Sequence, residues 1–256
     1  MLDTHCHLNY IKEPVEQLVA NAQKAGVEKI INIGVDEESS RISVEYSEKF
    51  DAVYATVGVH PHDAKTLTDD LMAQLREWSK LKKVVAVGEI GLDYYRDLSP
   101  RNIQKEAFIK QLELAVEQKL PVVIHTRDAH DDALAIVKDF APRLVGGLFH
   151  CFQGDIKGAE QVFDIGFIIS VGGIITFKNA EMARTAEAAP LDKIILETDA
   201  PYLTPVPYRG KTNKPEYMPF IYKKLAELKE CPLSDVISQV DRTANKFFKL
   251  VETFGD

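Results

Sequence analysis

The chain has 256 residues, of which 45% are hydrophobic and 27% are charged, with a formal net charge of −8 at pH 7. This composition excludes a disordered or fibrous protein, and the acidic balance argues against a protein that coats DNA through long tracks of basic residues. The three cysteines are widely spaced, and neither a signal peptide nor an apolar stretch of membrane-spanning length is present in the sequence, so we expect a cytoplasmic protein with no disulfide framework and no membrane association.

Short apolar runs alternate with longer amphipathic stretches along the chain, which predicts alternating strands and helices. We expect strands at residues 1–6, 29–33, 52–59, 84–90, 121–124, 144–149, 167–171 and 193–196. We expect helices in the gaps, at residues 13–25, 37–50, 67–81, 102–119, 128–140, 156–165 and 180–189. A proline-containing loop then leads to three further predicted helices, at residues 216–229, 233–240 and 242–251.

Eight strands that alternate with helices predict a parallel sheet, either closed as a barrel or open and doubly wound. A nucleotide-binding open sheet would need a glycine-rich motif after the first strand, and the sequence has none there. The length of the chain is also typical of a closed (β/α)₈ barrel. We therefore predict an α/β protein with a TIM-barrel fold, as a single domain over residues 1–256.

Histidines and carboxylates stand at the carboxyl ends of the predicted strands. They are His5, His7, His60, His62, Glu89, His125, His150 and Asp199. In a (β/α)₈ barrel these strand ends meet at one mouth, where catalytic groups collect. His5 and His7 are two residues apart on an extended segment, so both imidazoles point to the same side and can chelate one ion. The pattern predicts a metal site at the mouth of the barrel.

Glu89 is the residue that we expect to bridge two cations, because a carboxylate offers two oxygens. The ligands of the first divalent ion are predicted to be His5, His7, Glu89 and Asp199, and those of the second Glu89, His125 and His150. Asp199 is also expected to take a proton from the attacking water, so Glu89 and Asp199 are the catalytic candidates. The imidazole ligands suit Zn²⁺, Mn²⁺ or Fe²⁺.

Three residues near these positions are candidates for contacts with a substrate phosphate, namely His62, Arg127 and Arg209. A guanidinium group can donate two parallel hydrogen bonds to phosphate oxygens. Other interpretations stay open: His62 could be held by a backbone group, Arg127 could pair with Asp93 or Asp128, and Arg209 could lie on a solvated lid loop.

The segments DTHCHL, GVHPHD, GEIGLDYY, IHTRDA, HCF and LETDAPYL occur in this order, followed by PYRGKTNKPEY. This ordered set resembles the TatD family, over residues 3 to 217. The resemblance implies a TIM barrel of the amidohydrolase-like group, dependence on divalent metal, and deoxyribonuclease activity, in some members a 3′ exonuclease. It also implies activity with Mg²⁺, so Mg²⁺, Mn²⁺ and Zn²⁺ all stay open as the metal. It also places metal ligands at the six positions that the residue pattern selects, with no departure at any of them.

The main functional hypothesis is hydrolysis of DNA phosphodiester bonds, on single strands or at strand ends, by water activated between two metal ions. Tyr94 and Tyr95 could then stack on a base or simply pack within their loop. A second hypothesis is an ester or amide hydrolase of the same barrel class, acting on a small molecule or on aminoacyl-tRNA. A third is a non-catalytic metal-binding scaffold, which a site with open coordination positions disfavours. A monomer is expected.

Overall fold

The computed structural model describes residues 1–250, and it contains one sheet of eight strands in sequence order. The strands are β1 (Leu2–Cys6), β2 (Lys29–Asn32), β3 (Val53–Val57), β4 (Val84–Asp93), β5 (Val122–Arg127), β6 (Gly147–Phe149), β7 (Ile168–Val171) and β8 (Ile194–Leu196). Each strand pairs with the next in parallel. Just beyond β8, Ala200 forms a parallel bridge with Cys6, so the last strand returns to the first. The predicted (β/α)₈ barrel is confirmed.

The helices lie between and after the strands, as the sequence predicts. They are α1 (Val15–Lys24), α2 (Glu37–Lys49), α3 (Asp69–Trp78), α4 (Arg101–Gln118), α5 (His130–Phe140), α6 (Ile156–Asp164), α7 (Glu181–Ala188), α8 (Met218–Leu228) and α9 (Leu233–Phe248). Within residues 1–250, the structure contains no helix that is both long enough and apolar enough to cross a membrane.

The end of the chain differs from the prediction of two helices at residues 233–240 and 242–251. A single helix, α9, covers both, and the predicted end at residue 251 lies outside the described residues. Val236, Val240, Ala244 and Phe248 recur every four residues and are buried, so one apolar stripe runs along the whole helix. No glycine or proline interrupts it, and the division into two helices was wrong for that reason.

The core has two layers, because successive residues of a strand point to opposite faces of the sheet. One set of strand residues packs against the surrounding helices, as Ile30 and Val122 do. The alternate set fills the barrel and includes Ile31 and Val123, which cluster with Phe248 of α9. The inside of the barrel is therefore packed mainly with apolar side chains, and the candidate ligands lie at the carboxyl ends of the strands.

Candidate metal centre

The carboxyl ends of the strands bring the six predicted ligands to one place. His5 and Glu89 lie within β1 and β4, and His125 lies within β5. His150 directly follows β6, and Asp199 follows β8 by three residues. In addition, His7 follows β1, where its amide donates a hydrogen bond of 2.8 Å to the carbonyl of Ala200 beyond β8. The closure of the barrel thus positions the first and last ligands of the sequence side by side.

One oxygen of the Glu89 carboxylate faces the first group of ligands. Its Oε2 lies 3.3 Å from His5 Nε2 and 3.9 Å from His7 Nε2. Asp199 completes this group, with Oδ1 at 3.8 Å from His5 Nε2 and 3.7 Å from His7 Nε2. The two imidazole nitrogens are themselves 3.3 Å apart. Four candidate ligand atoms thus converge on one small volume.

The other oxygen of Glu89 faces the second group of ligands. Its Oε1 lies 2.8 Å from His150 Nε2 and 2.9 Å from His125 Nδ1. His60 joins this group, because its Nε2 is 3.4 Å from the same oxygen. The sequence predicts His60 at the mouth of the barrel, either in contact with substrate or held at the rim, but not as a ligand, and the structure places it at the carboxylate. Glu89 therefore stands between two groups, with one oxygen toward each.

The electrostatics of the cluster follow from burial and from the density of imidazoles. Burial lowers the pKa of His5 to about 4, with a further contribution from the nearby His150. The pKa of His60 is also lowered to about 4, by burial and by His125. Burial would raise the pKa of Glu89, but interaction with His150 and His60 outweighs it and holds that pKa well below its ordinary value. His5 and His60 thus have the neutral form that binds metal. Burial would also lower the pKa of His125 and His150, but Asp93 raises the pKa of His125 and Glu89 raises that of His150, so a cation would displace protons from these two rings.

The donor set fits divalent metal ions. Three groups have one ligand atom per residue within 4.8 Å of one another: His5 with Glu89 and His150, His5 with His7 and Asp199, and His60 with Glu89 and His125. His5 Nε2 and His7 Nε2 lie 3.3 Å apart, so only one of them can carry a proton between the two, whereas a cation would accept a lone pair from each. This mixture of nitrogen and oxygen donors suits a transition metal such as Mn²⁺ or Zn²⁺ and leaves Mg²⁺ open through the carboxylates.

Asp93 supports the second group and was not selected from the sequence as a site residue. Its Oδ2 accepts a hydrogen bond from His125 Nε2 at 3.1 Å and one from His62 Nε2 at 2.8 Å. Its Oδ1 accepts from the amides of Tyr95 and Arg96. Burial would raise the pKa of Asp93, but the hydrogen bonds from His125 and His62 lower it overall. An ionised Asp93 therefore fixes the ring of His125 so that Nδ1 points to Glu89.

Glu197 is the carboxylate that lies beside His150. It is fully buried, and its Oε1 lies 3.5 Å from His150 Nδ1, the nitrogen on the side of the ring away from Glu89. Ser170 donates a hydrogen bond of 2.5 Å to the other oxygen, Oε2. A carboxylate on the far nitrogen of a metal-binding histidine orients the ring and makes it a better ligand. Glu197 was not predicted from the sequence as a site residue. The signal that could have identified it is an acidic residue at the end of an apolar strand, directly before Thr198.

The three predicted substrate contacts have different surroundings. His62 is bonded to Asp93, as described above. The guanidinium of Arg127 lies 3.8 Å from the centre of the Tyr95 ring, and that of Arg209 lies 3.8 Å from the centre of the Phe177 ring. Both arginines are exposed. Stacking on an aromatic ring leaves the edges of a guanidinium free to donate hydrogen bonds to a phosphate.

Comparison with known proteins identifies relatives along the whole chain. The family described as TatD related DNase matches residues 2–249. A Bacillus subtilis protein described as the uncharacterized metal-dependent hydrolase YabD is 40% identical, over 98% of this chain and 99% of its own length. A Cronobacter sakazakii protein named 3′-5′ ssDNA/RNA exonuclease TatD is 35% identical, over 83% of each chain.

The solved structures agree with these relatives. The crystal structure of YJJV, a TatD homologue from Escherichia coli, superimposes with a TM-score of 0.91 at 31% identity and covers 98% of each chain. The sequence match extends over nearly the whole protein, and the fold and the cluster of histidines and carboxylates are consistent with it. This chain belongs to the TatD family of metal-dependent hydrolases.

Proposed function

We propose that the protein hydrolyses phosphodiester bonds in DNA, on single strands or at strand ends, with two divalent ions in the centre described above. The observation that carries this proposal is the position of Glu89, whose two oxygens face two separate groups of ligands. A carboxylate placed in this way is suited to bridging two cations, which is the arrangement of two-metal phosphoesterases. The Cronobacter relative named as an exonuclease supports a nucleic acid as the substrate.

The ligands of the two ions would be the groups on either side of Glu89. His5, His7 and Asp199 would hold the first ion, and His125 and His150 the second, with His60 as an additional ligand of the second. Two divalent ions would outweigh the negative charge of the two carboxylates, attract a phosphodiester and withdraw electrons from its phosphorus.

Side chains of the protein supply the proton acceptor and the contacts with substrate phosphates. Asp199 is the less enclosed of the two carboxylates, with 13% of its side chain exposed against 4% for Glu89, so it can accept a proton from a water that enters from the mouth. Arg127 and Arg209 are exposed and held on aromatic rings, and can donate hydrogen bonds to the phosphates that flank the cleaved bond. His62, bonded to Asp93, is the remaining candidate for a phosphate contact.

The test is a cleavage assay with the metal under control. The protein is stripped of metal, Mg²⁺, Mn²⁺ or Zn²⁺ is restored separately, and single-stranded and double-stranded oligonucleotides with a label at one end are followed on a gel. We expect shortening that requires metal, and we expect Glu89→Gln to abolish it because the bridging charge is lost. The matched control is Glu106→Gln, which changes an exposed glutamate of α4 and should cleave like the wild type.

The position of the label gives the polarity of the reaction. DNA that stays intact with every ion would refute the proposal and favour an ester or amide hydrolase, which an aminoacyl ester substrate run in parallel would detect. Full activity of the Glu89→Gln variant would refute the two-metal arrangement.

A further inference from the structure

Two exposed tyrosines stand beside the first group of ligands. Tyr10 follows β1 and is 42% exposed, and Tyr202 follows β8 and is 53% exposed. The strands β1 and β8 are neighbours across the closure of the barrel, so the two loops adjoin each other. The mechanism described above uses neither side chain.

Both rings are arranged around His7. The ring of Tyr10 stacks on the imidazole, with centroids 5.5 Å apart and planes at 21°. The ring of Tyr202 meets the same imidazole edge-on, with centroids 6.2 Å apart and planes at 68°. Exposed aromatic rings that are scattered singly need no explanation, but two rings that contact the same candidate metal ligand place exposed aromatic surface on two sides of His7, next to the centre.

The backbone ties each tyrosine to a candidate ligand. The amide of Tyr10 donates a hydrogen bond of 3.0 Å to the carbonyl of His7. The amide of Tyr202 donates one of 2.8 Å to the carbonyl of Asp199. The backbone of each tyrosine is therefore held close to a candidate ligand, so a group that stacks on the rings would lie next to a phosphate at the centre.

We propose that Tyr10 and Tyr202 bind one unpaired nucleobase, that of the nucleotide next to the phosphodiester bond that is hydrolysed. The proposal rests on the proposed function. A nucleobase is flat and joined to its phosphate through one sugar, so a phosphate at the metal centre brings a base to the adjoining aromatic surface. Stacking on aromatic rings tolerates any base, because every base has a π-face.

The same geometry sets a preference for single strands. A base inside a duplex has both faces covered by its neighbours, so it must leave the stack before a tyrosine can take its place. A terminal or unpaired base avoids that cost. The two tyrosines therefore favour frayed ends and single strands, with little dependence on sequence.

The test compares removal of the ring with removal of the hydroxyl. The variants Tyr10→Leu and Tyr202→Leu lose the ring, whereas Tyr10→Phe and Tyr202→Phe keep it. We expect each leucine variant to raise KM for an oligothymidylate by about tenfold, the effect of one lost base–aromatic stack, with kcat unchanged. The phenylalanine variants should keep the wild-type KM. Tyr208→Leu is the control on the loop of Tyr202, because Tyr208 stacks on Tyr217 and not on His7.

An oligonucleotide with abasic residues at its terminus separates stacking from a structural effect. On this substrate the wild type should show the raised KM, and the leucine variants should show no further increase. The proposal would be overturned if the leucine substitutions raised KM as much on the abasic strand as on the normal strand. It would also be overturned if the leucine variants kept the wild-type KM on both strands.

Binding measured without turnover separates this proposal from the proposed function. The normal and the abasic strand, each carrying a fluorescent label, are titrated in EDTA with the wild-type protein and with the variants, and binding is measured by fluorescence anisotropy. One outcome is that the base-containing strand binds more tightly than the abasic strand only when the tyrosine rings are present. If the protein then cleaves neither strand after metal is restored, the nucleobase site is supported and the nuclease activity is refuted. Cleavage with equal binding of normal and abasic strands would refute the nucleobase site alone. Neither binding nor cleavage would refute both.

Discussion

Replacement of Asp3 by asparagine should stabilise the metal-free protein at neutral and alkaline pH. Asp3 is completely buried below the metal centre. Its Oδ1 accepts a hydrogen bond of 2.9 Å from the amide of Thr198, and its Oδ2 accepts one of 2.6 Å from the hydroxyl of the same residue. Burial raises the pKa of Asp3 to about 7, although the hydrogen bonds from Thr198 oppose the rise.

The sign and size of the effect follow from the two pKa values. The unfolded chain ionises Asp3 near pH 3.8, while the folded chain holds the proton to about pH 7. Between these values the folded state binds more protons than the unfolded state, so the free energy of unfolding falls as pH rises, and it is level above pH 7. At about 1.4 kcal/mol per pKa unit, the total loss is about 4 kcal/mol. Asparagine has nearly the same shape and no charge, so the Asp3→Asn variant avoids this loss.

The assay is urea unfolding in EDTA, followed by circular dichroism, at a series of pH values from 5 to 8. The free energy of unfolding of Asp3→Asn, relative to that of the wild type, should rise by about 3 kcal/mol over this range. The difference grows mainly between pH 5 and pH 7, which is about two pH units. Asp51→Asn changes an exposed aspartate and should show no such trend. A difference between Asp3→Asn and the wild type that does not vary with pH would refute the reasoning, because Asp3 would then ionise normally in the fold.

Three further predictions concern single hydrogen-bonded side chains. Glu197→Gln should weaken divalent-metal binding by about 10- to 100-fold in calorimetry, because His150 loses its charged partner, and unchanged affinity would contradict that role. Asp93→Asn should weaken metal binding by a similar 10- to 100-fold, since an amide has a single oxygen, whereas one oxygen of Asp93 accepts from the imidazoles of His125 and His62 and the other accepts from two backbone amides. Tyr222→Phe should lower the free energy of unfolding by about 1–3 kcal/mol, because its buried hydroxyl bonds both to β1 and to α9, and an unchanged urea midpoint would contradict this.

The sequence by itself determined the order of the elements and the family. Alternating short apolar runs and amphipathic stretches specify strands and helices because the two have periods of 2 and 3.6 residues, and these periods can be read locally. The carboxyl ends of barrel strands share one mouth, and this rule was enough to predict that His5, Glu89 and Asp199 lie close together. It remains a proposal that these residues bind metal. The local signal failed at residue 241, where two predicted helices proved to be one.

Only the tertiary structure decided which polar residues face one another. The predicted fourth strand ended at residue 90, but pairing with β5 extends β4 to Asp93, and this brings Asp93 to His125. His60 and His62 look equivalent in sequence, yet a 3₁₀ turn begins at Pro61 and ends the strand-like alternation, so His60 reaches Glu89 while His62 reaches Asp93. Contacts of this kind join residues that are 29 to 32 positions apart in the chain. They depend on strand register and on the exact point at which a strand ends, and these are set by packing against neighbouring strands and not by the residues of one strand alone.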